Sequence, residues 1–221
     1  MLGQVLAGRY ELQERLSQNT GKSTFLARDL QAQELVVLKL LSFSIDFNWE
    51  DLKLFEREAK TLKSLSHPAT PRYLNSFELD LGNVKCFATV QTYIAGESLD
   101  KCLKNGRVFT ELEVKQLAKS LLEILIYLHG CQPPVIHRDI KPSNILLTNR
   151  SGNSVGDVYL VDFGSVQTVA AREGVSPARE ALKELQKLES PLVIRDSKKS
   201  LMELLANLLG VELSQIKMLT L

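Results

Sequence analysis

The sequence predicts an α+β protein, with a first part built on antiparallel strands and one helix, followed by a mainly helical part. Two observations carry this. From Tyr10 to Thr92, short runs rich in β-branched and aromatic residues alternate with polar breaks, and only Asn48–Ser66 departs from that pattern, with apolar residues at helical spacing. Farther on, Val114, Leu117, Leu121, Leu125 and Leu128 recur at intervals of three and four within Glu111–Gly130, the stripe of a long amphipathic helix. A chain of 221 residues, 44% hydrophobic and 24% charged, can bury the cores of one or two globular units.

Composition excludes several function classes. The formal net charge of +1 offers no long-range attraction to nucleic acid or to an anionic membrane. Met1–Tyr10 has neither the basic nor the apolar region of a secretory signal. The longest apolar runs, Leu35–Leu41 and Leu121–Leu128, are too short to span a bilayer and are interrupted by Lys39 and Glu123. A cytoplasmic location is therefore expected. Cys86, Cys102 and Cys131 lack metal-ligand or C-x-x-C spacing and read as reduced packing residues.

The first hairpin is expected over Tyr10–Leu16 and Thr24–Asp29. Between its strands, Gly21-Lys22-Ser23 imitates the end of a P-loop, but the leading glycine of that motif would fall at Leu16 and no helix pattern follows, so the P-loop reading is rejected. The next strand, Leu35–Leu41, carries Lys39 on the same face as Leu35, Val37 and Leu41, where a charge is costly without a partner. An isolated edge-strand lysine that snorkels to solvent is the bland alternative. The helix that follows weighs against it: Leu52, Phe55, Ala59, Leu62 and Leu65 form its apolar stripe, and Glu58 lies on or beside that stripe. An inward lysine and an inward glutamate are most economically read as partners.

Leu65-Ser66-His67-Pro68 forms a turn in which His67 is expected to be structural. Two further strands, Arg72–Leu79 and Val84–Thr92, lead to the loop Gln91–Leu99. Thr110 caps the long helix, Gly130 closes it, and Pro133-Pro134 prevents continuation, with His129 a packing or capping residue. His137–Asn144 reads H-R-D-I-K-P-S-N. Strands over Ile145–Thr148 and Val158–Asp162, joined by the polar stretch Asn149–Asp157, then deliver Asp162-Phe163-Gly164. Beyond these, Ser176 and Pro177 open one amphipathic helix with Ala178, Ala181, Leu182, Leu185 and Leu188 on its stripe. A Ser200/Glu203 capping box opens a second with Leu201, Leu204, Leu205, Leu208 and Leu209.

Taken together, His137–Asn144, Val36-Val37-Leu38-Lys39 and Asp162-Phe163-Gly164 resemble the catalytic loop, the lysine strand and the metal-binding motif of bacterial-type Ser/Thr protein kinases. The resemblance implies a protein-kinase-like fold with ATP and Mg²⁺ between two lobes. In that template Lys39, held by Glu58, reaches the α- and β-phosphates, and Asp139 accepts the substrate hydroxyl proton. Lys141 offsets charge in the transition state, and Asn144 and Asp162 hold metal. Gln91 falls at the gatekeeper position, with Thr92 and Ile94 offering backbone groups to the adenine.

The departures from the family are as specific as the matches. Ser17, Asn19 and Lys22 stand where the three glycines of the phosphate-covering loop belong, so backbone amides approach phosphates under more steric restriction, with the Lys22 charge a partial compensation. The recognisable match stops near Gln167, without an A-P-E ending, as though the large lobe were shortened. The expected organisation is a small lobe over 1–92, a partial large lobe over 93–168, and a non-matching helical segment over 169–221 whose apolar stripes either cover the large-lobe core or serve a partner or self-association. Two functional readings follow: ATP-dependent phosphoryl transfer to Ser/Thr hydroxyls of a protein substrate, or a pseudokinase that binds nucleotide or scaffolds without useful catalysis.

Overall fold

Alternating side chains from Tyr10 to Thr92 produce strands, and the faces they define decide where the helix packs. The computed structural model describes residues 2–19, 21–43, 49–82, 84–107, 109–151 and 154–168. The first elements are β1 (Val5–Leu6), β2 (Tyr10–Asn19), β3 (Lys22–Asp29), β4 (Glu34–Ser42), helix α1 (Trp49–Ser64), β5 (Tyr73–Leu81) and β6 (Val84–Thr92). The six strands form one antiparallel sheet in the order β1-β2-β3-β4-β6-β5.

One face of this sheet is its own core: Leu12, Phe25, Ala27, Val36, Leu38, Leu40, Ala88 and Val90 are all buried there. Tyr10 of β2 and Phe77 of β5 stand far apart in the strand order, yet their rings stack at 5.6 Å and Asn75 Nδ2 donates to the Tyr10 hydroxyl. The sheet must therefore curl upon itself, as accumulated strand twist allows. The other face carries Lys39 and Phe87 and receives α1, whose Phe55 meets Phe87 edge to face at 6.0 Å. Strand alternation thus aims Lys39 at the helix and its neighbours Leu38 and Leu40 into the apolar interior.

A half-buried ion pair pins the start of β2 to the end of β3. Arg9 Nε and Nη2 donate to the two oxygens of Asp29 at 2.8 and 2.6 Å, and the amides of Gln31 and Ala32 also donate to Asp29. The Arg9 guanidinium, with help from those amides, outweighs burial and holds the Asp29 carboxyl at about 2.

The described residues group into two compact units, one within 2–66 and 71–94, the other within 67–70 and 95–168. In the second unit come β7 (Glu97–Ser98), α2 (Leu99–Lys104), α3 (Glu111–Gly130), β8 (Val135–Ile136), a 3-10 turn over Pro142–Asn144, β9 (Ile145–Thr148), β10 (Asp157–Leu160) and β11 (Gln167–Thr168). Strands β10, β9 and β7 form one small sheet, and β11 pairs with β8. The stripe expected for α3 is buried throughout: Val114, Leu117, Leu121, Leu125 and Leu128. Its capping box is complete, since Glu113 N–H donates to Thr110 Oγ1 and Thr110 N–H donates to Glu113 Oε2. Arg107, stacked over Phe109, donates to the other Glu113 oxygen.

Four differences from the sequence reading are informative. The hairpin strands β2 and β3 run almost to the tip, so that Asn19 pairs with Lys22 across a turn containing Gly21 at φ +72°. Helix α2, opened by Ser98 accepting from Lys101 N–H, was not expected. Gly130 ends α3 without a left-handed conformation, as the Cys131 amide closes the helix on the Leu128 carbonyl. Strand β10 stops at Leu160 instead of Asp162: the Val161 amide still donates in register to the Asn144 carbonyl, but the Asn144 amide turns back to the Lys141 carbonyl and Asp162 adopts φ +64°. The two helices expected after Ser176 lie outside the described residues.

Candidate functional site

The candidate residues divide between the two units. In the first, Lys39 lies in the middle of β4, flanked across the sheet by Thr24 of β3 and Thr89 of β6. Its Nζ donates to Glu58 Oε1 at 2.5 Å, and the two side chains are only 13% and 6% exposed. Glu58 is buried on α1 together with Phe55 and Leu62. The expected Lys39–Glu58 pair therefore forms, and it is enclosed enough for Coulombic attraction to outweigh screening by water.

The three residues at the glycine positions behave differently from one another. Ser17 and Asn19 are exposed residues of β2 paired with Thr24 and Lys22. Lys22 donates to Asp51 Oδ1 of α1 at 2.7 Å, a partner that sequence reasoning missed. The only sequence hint was that Asp51 precedes Glu58 by two helical turns. At the end of β6, Gln91 is buried, the Thr92 amide donates to the Arg72 carbonyl, and Thr92 Oγ1 accepts from the Arg72 amide. Ile94 is the last residue of its unit and is half-buried.

In the second unit, residues 137–144 and 161–163 interlock. His137, fully buried, has its Nε2 at 3.2 Å from the Val161 carbonyl, while its Nδ1 accepts from the Asp139 amide at 3.4 Å. These roles require one neutral tautomer, protonated at Nε2. One ring thereby registers the backbone of Asp139 against the residue before Asp162. The same ring meets Phe163 edge to face at 4.7 Å, which assigns Phe163 a packing role beneath the loop. Between His137 and Asp139, Arg138 turns the chain at φ +67° and donates to Gln167 Oε1.

Around Asp139 the polar groups converge. Lys141 Nζ donates to Asp139 Oδ2 at 2.8 Å, and the buried Asn144 Nδ2 donates both to that oxygen at 3.0 Å and to the Asp139 carbonyl at 2.9 Å. With its nitrogen committed to Asp139, Asn144 presents Oδ1 as an acceptor. The Asn144 carbonyl accepts from the Val161 amide, and so ties the end of the loop to the approach of Asp162. Asp139, Lys141 and Asn144 are thus brought together as expected, and Asp162 follows a residue held from both sides by that loop.

Among the described residues no cluster of three or more His, Cys, Asp or Glu side chains could hold a metal ion. An amide oxygen and a carboxylate, Asn144 and Asp162, are hard oxygen donors of the kind Mg²⁺ accepts when phosphates and water complete its shell. Also among the described residues, no helix is long and apolar enough to cross a membrane. The three cysteines are free thiols, and burial pushes those of Cys102 and Cys131 up. His67 is structural: its Nδ1 accepts from the Ala69 amide, its ring packs on Tyr127, and burial lowers its pKa against the pull of Glu123.

A family model described as a protein kinase domain matches residues 10–187. Serine/threonine-protein kinase tousled-like 2 of Xenopus tropicalis is 34% identical over 166 residues, covering 72% of this chain and 23% of that protein. Serine/threonine-protein kinase B of Synechocystis sp. is 38% identical over 169 residues, covering 73% and 28%, and kinase F of the same organism is 33% identical over 186 residues, covering 78% and 36%. The chain therefore spans between about a fifth and a little over a third of the length of these relatives.

Proposed function

The chain belongs to the protein kinase family, and on that premise we propose that it transfers the γ-phosphoryl group of ATP to Ser/Thr hydroxyls of a protein substrate. The single observation that carries this reading is the arrangement at Asp139. Lys141 and Asn144 both donate to Oδ2, and no described residue donates to Oδ1. One oxygen is fixed in place and the other is left to accept a proton. That asymmetry suits a group that orients a hydroxyl and takes its proton.

In the proposed step the substrate hydroxyl oxygen bonds to the γ-phosphorus and its proton passes to Asp139 Oδ1. The bond between that phosphorus and the β,γ-bridging oxygen breaks, and ADP departs with its electron pair. Lys141, already 2.8 Å from Oδ2, lies close enough to share its charge with the transferring group. Asn144 Oδ1 and the Asp162 carboxylate would hold Mg²⁺, which supplies electrostatic stabilisation to the phosphates when bound. Lys39, restrained by Glu58, would pair with the α- and β-phosphates. Ser17, Asn19 and Lys22 would cover the phosphates, and backbone groups of Thr92 and Ile94 would meet the adenine. We read the first unit as the small lobe and the second as the large lobe. The proposed setting is the cytoplasm, where ATP is available and free thiols stay reduced.

A second reading, nucleotide binding without useful turnover, is favoured by one observation: the hairpin lacks glycine at all three phosphate-facing positions, and its lysine is engaged by Asp51. Transfer of labelled γ-phosphate to dephosphorylated casein, measured beside thermal stabilisation by Mg·ATP, separates the two. Stabilisation with transfer supports the kinase reading; stabilisation without transfer replaces it by the second; the absence of both overturns each.

A further inference from the structure

Lys22 and Lys39 point from the same sheet face. Thr24 of β3 stands directly opposite Lys39 of β4, and Lys22 is two residues before Thr24 on the same strand, so it lies diagonal to Lys39 on that face. Their carboxylate partners share a helix face as well. Asp51 and Glu58 are seven residues apart on α1, two turns of one side, roughly 10 Å along the axis. The result is a pair of parallel rungs between sheet and helix, Lys39–Glu58 and Lys22–Asp51.

The rungs differ in how tightly they are held. Lys39 and Glu58 are enclosed, whereas Lys22 and Asp51 are 35% and 37% exposed and meet through one oxygen. A half-solvated, single-contact pair on a flexible four-carbon stem exchanges partners at little cost. Lys22 is also the first residue of β3, immediately after the positive-φ Gly21 at the hairpin tip.

We propose that Lys22 is a second phosphate-binding cation held in reserve by Asp51, and that a nucleotide polyphosphate displaces Asp51 from it. The inference rests on the ATP-binding part of the reading above. It gives the glycine-poor hairpin a side-chain means of gripping phosphate in place of backbone amides, and it makes Asp51 a competing anion that sets nucleotide affinity. The grip selects for ligands with a β,γ-phosphate chain over the bare nucleoside.

Calorimetric titration of wild type, Asp51→Asn, Lys22→Gln and the double variant with Mg·ATP and with adenosine tests this. Asp51→Asn is expected to tighten Mg·ATP about two- to fivefold, the scale of one exposed ion pair. Lys22→Gln should weaken it about tenfold, as loss of a charge-assisted bond does. The double variant should match Lys22→Gln alone, because Asp51 acts only through Lys22. Adenosine affinity should not change in any of them. Weaker Mg·ATP binding by Asp51→Asn, a gain that persists without Lys22, or four proteins that bind Mg·ATP alike would overturn the inference while leaving nucleotide binding intact. A wild type that binds neither ligand would overturn the ATP-binding reading itself, and the inference with it.

Discussion

Replacing Glu58 by leucine removes the carboxylate from an enclosed pair and takes the Glu58 charge away from the Lys39 ammonium, which is only 13% exposed. Breaking a buried ion pair from one side costs about 3–5 kcal/mol. The residual exposure of Lys39 places this case at the lower end, about 3 kcal/mol. For a chain of this length that lowers Tm by about 6–12 °C. Lys39→Met combined with Glu58→Leu removes both charges and fills the same space with apolar atoms, and such replacements are close to neutral. The double variant is therefore expected within about 1 kcal/mol of wild type. Guanidinium denaturation of the four proteins gives the coupling energy directly. A Glu58→Leu loss below about 1 kcal/mol, or a double variant as unstable as the summed singles, would refute the claim that the pair is buried and mutually compensating. The same double variant should show no stabilisation by Mg·ATP, which separates the pair's functional worth from its structural one.

Three other perturbations have defined outcomes. Asp29 sits well below its ordinary range, so its pairing with Arg9 stabilises the fold fully above about pH 4 and the contribution is lost as pH falls towards 2. Arg9→Gln should lower stability at neutral pH, and the gap to wild type should close between pH 4 and 2 in acid-unfolding curves. Gly156→Ala should lower stability by more than about 1 kcal/mol in thermal unfolding, since Gly156 has φ +81° and an added Cβ would lie 2.0 Å from the Thr148 carbonyl oxygen. Thr110→Ala should cost about 1–2 kcal/mol, because it removes the acceptor that caps α3 at the Glu113 amide.

Legibility in the sequence depended on whether a feature announced itself over many residues or depended on a remote partner. Helix α3 was legible end to end because its stripe repeats over about four turns and Thr110 supplies a cap. Lys39 and Glu58 were legible because a charge among apolar residues demands compensation. Asp139, Lys141 and Asn144 stand within one short loop, and their convergence follows from spacing once the loop turns at Arg138. Strand β1 and helix α2 are too short for periodicity to rise above background. The engagement of Lys22 by Asp51 spans 29 residues and two elements, and no local pattern marks it. The early end of β10 is likewise unmarked: it comes from the Asn144 amide turning back to the Lys141 carbonyl and from the left-handed backbone at Asp162, neither of which interrupts the apolar pattern.

The central claim concerns Asp139, and the rate of γ-phosphate transfer by wild type and Asp139→Asn tests it most directly. Asparagine preserves the shape and can accept from Lys141 and Asn144, yet it cannot take a proton. The account predicts measurable transfer by wild type and a fall of about a hundredfold or more in the variant, with Mg·ATP affinity little changed. Transfer by Asp139→Asn at the wild-type rate would contradict it.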